Sequence, residues 1–389
     1  MFKVAILTII FGIISSAFCW FLVPMAYWDS EDSLTTYFAL GFGDTTKYGA
    51  AEVRYAPSSE ALRAELTIRL PFAKGTEFHS KYIDATTNDP RKYSIFVPGE
   101  DTLSDTTLTD ITEKVREYSI RLEQNWQAGI ETKWGLFATY SSGKYFSDYT
   151  LSDYGGWSEK PETTEATYVG GGISFGYDSR NGNLDPDKGY VFHIEAGADY
   201  LLQDTLDADY VDAATHTSKV VGFAYVEQRT YTPASALPVQ IPLLTVQAPT
   251  ILATKMAIGY RTSNVAQLIG YRSGDFQLFR GLPHRKLSGN KFYLLSLDFR
   301  ISPVKRMYTP MTVLHLIAPG IISDSRADIE FTPFFDFGKI YGANPEKAFF
   351  STGGGIALKF SKTLITRFDF QYCPTFDNFT TYFAIRHPF

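Results

Sequence analysis

The stretch LITRFDFQY, Leu364–Tyr372, alternates apolar and polar side chains with a period of two. One face of the extended chain carries Leu364, Thr366, Phe368, Phe370 and Tyr372, and the other carries Ile365, Arg367, Asp369 and Gln371. Successive side chains of a β-strand point to opposite faces of the sheet, so this pattern predicts a strand with one apolar and one charged face.

The same alternation recurs along the chain. FYLLSLDFRI, Phe292–Ile301, and GYVFHIEAGADY, Gly189–Tyr200, repeat it, and polar or Gly-rich turns separate such segments. Many alternating segments of about ten residues are typical of a transmembrane β-barrel. A soluble sandwich or a lipocalin-like barrel is the alternative, because its strands alternate too.

Two features favour the membrane barrel. The chain has 389 residues and no recognisable second domain, which is long for a soluble sandwich. Tyr and Trp recur near the strand ends, as the aromatic girdle of a membrane barrel requires. The chain also ends on Phe389, and an aromatic last residue is the C-terminal sorting feature of outer-membrane barrels.

The pattern therefore predicts an all-β fold, a transmembrane antiparallel β-barrel of about 16 strands. The first predicted strand is Leu34–Gly43, a short one is Lys92–Val97, and the last is Phe379–Arg386. The acidic stretches 99–113, 145–165 and 202–217 then fall on one face of the barrel, together with the long segment Thr262–Asn290. We assign that face to the cell exterior.

The N-terminus has the layout of a secretory signal peptide, with Lys3, an apolar run from Val4 to Ile14 and small residues before Cys19. We assign residues 1–19 to the signal peptide, 20–32 to a short N-terminal segment and 33–389 to the barrel. A membrane-anchoring helix is the alternative, because no charged residue occurs from Val4 to Trp28.

Composition excludes two broad classes. A hydrophobic fraction of 44% is too high for a disordered chain. A formal net charge of −6 argues against nucleic acid as a partner, because nucleic-acid binders present a basic surface. Cys373 has no obvious partner, so the sequence predicts neither a disulfide framework nor a metal site.

The stretch FRGLP, Phe279–Pro283, places a cation in the long segment Thr262–Asn290. Downstream, Asp336 lies within FFDFG on a predicted strand, and Asp298 lies on the polar face of the strand before it. If the loop carries Arg280 into the lumen, the guanidinium meets two carboxylates on adjacent walls, and it suits bidentate pairing with them. The sequence therefore predicts a long loop folded into the lumen.

These motifs resemble those of the superfamily of BamA, TamA and the two-partner secretion transporters, also called surface-antigen barrels. In that family an exterior loop folds back into the barrel, and its R-G motif docks on the acidic residue of F-x-D-x-G. The resemblance implies a lumen loop lock made of Arg280, Gly281, Asp298, Phe334, Asp336 and Gly338.

Two further stretches resemble the same family. YDSRNGNLDPDKGY looks like its periplasmic turn motif Y-D-x-R-x-x-x-x-x-P-x-x-G, through Tyr177, Asp178, Arg180, Pro186 and Gly189. STGGGIALKF is similar to the glycine-rich strand that follows F-x-D-x-G. Most members carry POTRA domains ahead of the barrel, and residues 20–32 leave no room for one, so we expect a member without them.

One stretch also fits an enzymatic interpretation. GISFG, Gly172–Gly176, matches the G-x-S-x-G pattern of hydrolases. That nucleophile elbow needs a strand, a sharp turn and a helix, whereas Ser174 lies within a predicted strand. The sequence therefore predicts no catalytic residue, no metal site and no cofactor.

The resemblance implies a protein of the bacterial outer membrane that aids the insertion or translocation of proteins, or of lipids. Its expected partners are outer-membrane lipids and unfolded outer-membrane proteins or other envelope proteins, and not nucleic acid. Two alternatives stay open at this point. One is a passive porin-like channel, and the other is an accessory structural barrel of a larger complex.

Overall fold

The structure, a computed structural model of the chain, describes residues 19–29, 33–43, 48–56, 61–69, 75–93, 107–128, 130–147, 150–151, 157–158, 162–181, 186–204, 219–241, 244–262, 271–272, 279–282, 288–308, 326–341, 348–359 and 365–384. Sixteen strands form one antiparallel sheet in which neighbours in sequence are neighbours in space. In chain order they are β1 (Cys19–Asp29), β2 (Ser33–Gly43), β3 (Tyr48–Ala56), β4 (Ala61–Arg69), β5 (Thr76–Tyr93), β6 (Thr107–Gln127), β7 (Thr132–Ser147), β8 (Glu162–Asp178), β9 (Gly189–Asp204), β10 (Val220–Ile241), β11 (Leu244–Arg261), β12 (Lys291–Tyr308), β13 (Arg326–Tyr341), β14 (Ala348–Lys359), β15 (Ile365–Cys373) and β16 (Asn378–Ala384).

The sheet curls into a barrel whose seam lies between its first and last strands. β1 and β16 approach each other within 8 Å, measured between Cα atoms. No hydrogen-bonded ladder joins them among the described residues, so the barrel is not closed there. A short 3₁₀ turn, Pro374–Phe376, connects β15 to β16. No helix in the described part of the chain is long and apolar enough to cross a membrane.

Burial in this barrel is the reverse of burial in a soluble protein. On β13, Asp336 is 1% exposed while its neighbour Phe337 is 46% exposed. The same inversion buries Lys255, Asp298, Arg300, Glu330, Arg367 and Asp369 and exposes Leu295, Phe299, Phe335, Ile356 and Phe370. The apolar face therefore meets lipid and the polar face lines the lumen, so the predicted transmembrane barrel is confirmed and the soluble alternative is wrong.

Strand β1 is absent from the strands that the sequence predicts. It pairs with β2 along nearly its whole length, although its residues fall at the end of the predicted signal peptide and in the short segment 20–32. The stretch CWFLVPMAYW is apolar on both faces, so it shows no alternation. Residues 1–18 and Phe389 lie outside the described residues, and their assignments stay predictions.

The prediction of a separate strand at Lys92–Val97 is also wrong for the residues that the structure describes. Lys92 and Tyr93 end β5, opposite Leu108 and Thr107 of β6, and residues 94–97 lie outside the described residues. Pro90 lies inside the β5–β6 ladder, opposite Asp110. The missed strand and the extra one offset each other in the strand count. The strand ends that flank the predicted exterior connections, those of β5–β6, β7–β8, β9–β10 and β11–β12, therefore share one end of the sheet.

Candidate functional site

The connection between β11 and β12 turns into the barrel. Tyr271–Arg272 pair with Ser288–Gly289 as a short ribbon, and beyond it the described tip Phe279–Leu282 is buried. The ring of Phe279 packs edge-on against Phe292 of β12 and Phe349 of β14, with centroids 5.2 and 5.6 Å away. The loop tip therefore lies against the inner wall.

Arg280 binds two carboxylates of that wall. Its Nε donates a hydrogen bond to Oδ2 of Asp336 at 2.7 Å, and its Nη2 donates to Oδ1 of the same residue. Nη2 also forms an ion pair with Oδ1 of Asp298 at 2.8 Å. Asp336 and Asp298 lie on paired strands, where their register partners are Ser296 and Phe334. The structure thus brings together the three charged residues that the sequence singled out.

The ring of Phe334 forms the floor of this site. Cζ of Arg280 lies 3.9 Å from its centroid, which places the cation over the aromatic face. A Cβ on Gly353 of β14 would lie 2.6 Å from this ring, so glycine leaves the space that the ring fills. Gly338, the last residue of the F-x-D-x-G motif, leaves space for Phe349 in the same way.

Gly281 is held through its backbone. Its φ of +79° is rare for residues with a side chain, and a Cβ would lie 2.9 Å from Cβ of Ser351. Its amide donates to Oε1 of Gln371 at 2.8 Å, and its carbonyl accepts a hydrogen bond from Nδ2 of Asn378 at 3.1 Å. A larger residue therefore could not occupy this position without moving the wall.

Sequence reasoning missed part of the charge cluster. Nη1 of Arg367 lies 3.4 Å from Oδ2 of Asp298, and its Nε donates to Asp369 at 2.7 Å. Arg300 is also fully buried on β12, one strand position beyond Asp298 on the luminal face. The alternation of LITRFDFQY places Arg367 and Asp369 on the polar face. It does not indicate which luminal residue of another strand they meet.

The electrostatics keep Arg280 ionised. Burial alone would lower the pKa of this loop guanidinium, but Asp298 and Asp336 raise the pKa by more, and the net shift is upward. The cluster contains the cations Arg280, Arg300 and Arg367 and the anions Asp298, Asp336 and Asp369. It can therefore hold a charged loop residue in a water-poor place without leaving net charge.

The predicted turn motif follows β8 at the opposite end of the sheet. Oδ1 and Oδ2 of Asp178 accept hydrogen bonds from Nε and Nη2 of Arg180 at 2.9 and 2.7 Å. Gly189 has a φ of +120°, and a Cβ there would lie 2.6 Å from Cα of Arg180. Pro186 is buried, and its carbonyl lies 3.5 Å from Nη1 of Arg300.

The first residue of this motif, Tyr177, contacts Tyr190 with ring centroids 6.1 Å apart. The two rings belong to β8 and β9, on either side of the turn. Together with the Asp178–Arg180 pair they hold the turn in one conformation. The motif therefore forms a turn fixed by its own residues, and its Pro186 carbonyl approaches Arg300 of the charge cluster.

Ser174 lies within β8, towards its C-terminal end, and faces the luminal wall. Its hydroxyl donates to Oε1 of Glu123 at 3.2 Å, and its strand partner is Glu195. Nε2 of His193 lies 2.9 Å from Oε1 of Glu195. The hydroxyl thus bonds to a carboxylate, and no helix follows it as a nucleophile elbow requires, because β8 runs on to Asp178.

Similarity to known proteins is found at the level of the fold. No family model matches the chain, and no curated protein is significantly similar to it in sequence. CdiB from Escherichia coli has a similar structure, with a TM-score of 0.57 at 9% identity over 93% of this chain and 61% of that one. CdiB from Acinetobacter baumannii has a TM-score of 0.51 at 11% identity over 93% and 58%.

BamA from Haemophilus ducreyi lacking POTRA domains 1–3 has a TM-score of 0.49 at 10% identity, over 92% of this chain and 68% of that one. The chain spans about three fifths of the length of the two CdiB chains. At these identities the similarity establishes that this protein has the barrel fold of CdiB, and it establishes no activity.

Proposed function

We propose that the protein is a bacterial outer-membrane barrel that assists the insertion or translocation of polypeptides, and that the loop tip Phe279–Leu282 controls access to its lumen. The observation that carries this proposal is the buried pairing of Arg280 with Asp336 and Asp298. The motif resemblance to assembly and secretion barrels agrees with it.

A buried ion pair is a suitable contact for a loop that must leave its docking site during activity. Hydrophobic residues of similar volume often fix a position at least as firmly as a buried ion pair does. Charged groups have a second favourable state, however, because water can solvate each of them once the loop tip moves away. A loop held by charges can therefore alternate between docked and released states that differ by a few kcal/mol.

Two further observations support transport over passive diffusion. The loop tip packs with Phe292, Ile340 and Phe349 into an apolar cluster inside the barrel, which fills lumen that a porin would leave open to water. The edges of β1 and β16 also lack a ladder among the described residues. An unpaired strand edge can form a ladder with another strand, and a polypeptide client can supply that strand.

The location is tested first. The mature chain is expected to fractionate with outer membranes and to migrate faster on gels when it is not boiled, as folded barrels do. Recovery as a soluble periplasmic protein would overturn the proposal.

The function is tested by depletion in the native host, followed by a quantitative census of outer-membrane proteins. We expect a defined subset of these proteins to decrease, and wild-type protein supplied in trans to restore them. An unchanged census would refute a role in polypeptide insertion or translocation.

Conductance in planar bilayers separates this function from a porin-like channel. We expect the wild type to conduct little and intermittently, because the loop tip occupies the lumen. A steady, large conductance together with an unchanged census would favour the passive channel.

A further inference from the structure

The last hairpin of the barrel forms a receptor for the backbone of the loop tip. Oε1 of Gln371, on β15, accepts hydrogen bonds from the amide of Gly281 at 2.8 Å and from Oγ1 of Thr380 at 3.2 Å. Asn378, the first residue of β16, donates to the Gly281 carbonyl at 3.1 Å. Both polar groups of one loop residue are therefore bound by β15 and β16.

Apolar contacts link the same two parts of the molecule. Cys373, the last residue of β15, is fully buried in one cluster with Phe279 and Leu282. Phe376, in the turn before β16, packs against that cluster. The loop tip thus contacts the final hairpin through hydrogen bonds and through side-chain packing.

This hairpin carries the edge strand of the sheet. β16 is seven residues long and forms a ladder with β15 alone among the described residues. A short edge strand with one ladder opens more readily than a strand paired on both sides. Contacts from outside the sheet therefore add to the stability that its single ladder provides.

We infer that the docked loop tip holds β16 in place through Gln371 and Asn378, so that release of the loop loosens the edge strand at the seam. The inference rests on the proposed function insofar as the loop tip leaves its site during activity. Docking at Asp336 and pairing at the seam then become one coupled equilibrium, because Gly281, the neighbour of Arg280, carries the hydrogen bonds to the final hairpin.

The test measures hydrogen exchange of the amides of β16 in the purified, membrane-reconstituted full chain. Two variants release the loop tip by different means. Arg280→Ala removes the cation, and Gly281→Val keeps the cation but places a β-branched side chain against Ser351. We expect both to accelerate exchange in β16 by about tenfold or more, while exchange in β8 stays unchanged.

Arg121→Ala is the matched control. Arg121 is also a luminal arginine, lies 3.9 Å from the ring centroid of Phe137, and pairs with Glu123 and Glu195. These partners belong to β6, β7 and β9 and not to the loop tip. We expect β16 to exchange at the wild-type rate in this variant, so acceleration there would indicate a general loss of barrel stability and overturn the inference.

The route of the coupling is tested in an Asn378→Ala background. If the carboxamide transmits loop docking to β16, Arg280→Ala accelerates β16 exchange clearly less there than in the wild type. Protease cleavage within 262–290 verifies release of the loop tip in each variant, and Arg280→Lys replaces any variant that fails to insert. Wild-type exchange of β16 in chains whose loop is released would overturn the inference.

The result is independent of the client experiment. A host census that stays unchanged refutes the proposed function but leaves the exchange rates as they are. Conversely, exchange rates that stay unchanged refute the coupling and leave any effect on clients standing.

Discussion

Arg280→Ala is the perturbation with the most calculable effect. It removes two hydrogen bonds to Asp336, the ion pair with Asp298 and the contact with the Phe334 ring. Breaking a buried ion pair by removing one partner costs about 3 to 5 kcal/mol. Asp298 keeps Arg367 at 3.4 Å, so we expect the lower end, about 3 kcal/mol.

That free energy acts first on the docking of the loop, because Arg280 itself belongs to no strand ladder. A change of 1.4 kcal/mol corresponds to a factor of ten, so the population with a released loop rises about 100-fold. The barrel itself is expected to fold, to insert and to remain heat-modifiable on gels.

The assay is proteolysis from the exterior side of intact cells. Cleavage tracks the population of the open form when the loop recloses faster than the protease cuts. We therefore expect cleavage between Thr262 and Asn290 to accelerate about 100-fold in Arg280→Ala. Arg121→Ala, which removes a luminal arginine outside the lock, is expected to leave cleavage at the wild-type rate.

A charge swap tests whether the pair is direct. Arg280→Asp combined with Asp336→Arg is expected to restore part of the protection, limited by the second acid at Asp298. Unchanged protease protection and unchanged conductance in Arg280→Ala would refute the reasoning. In that case Arg280 would behave as a solvated residue, for which exposed ion pairs contribute about 0 to 1 kcal/mol.

Three further outcomes are expected. Asp336→Asn is expected to release the loop more than Asp298→Asn in the same protease assay, by about 1 kcal/mol, because Asp336 accepts two of the hydrogen bonds. Gly353→Ala is expected to reduce the heat-modifiable fraction, because the added Cβ would lie 2.1 Å from the carbonyl oxygen of Phe370. Gly354→Ala is the control, since its added Cβ meets nothing within 4 Å and the variant is expected to fold normally. Ser174→Ala is expected to lose about 1 kcal/mol and to complement the depleted host fully, so loss of a measurable esterase activity would contradict the non-enzymatic interpretation.

The amino-acid sequence by itself determined which residues face the lumen. A period of two assigns each side chain of a strand to one face, so the alternation alone places Asp298, Asp336 and Arg367 on the polar wall. The resemblance of the R-G and F-x-D-x-G motifs to those of a known barrel superfamily implied the partners of Arg280. Periodicity did not predict β1, because its sequence is apolar on both faces.

The tertiary structure alone decided which luminal residues meet. Arg367 shares Asp298 with Arg280, and Gln371 and Asn378 bind Gly281, although 69 to 97 residues separate these partners along the chain. Periodicity assigns a side chain to a face, but it contains no information on the curvature of the sheet or on the path of a loop. Those two properties arise only when all strands pair, because each ladder sets the register and the twist of the next.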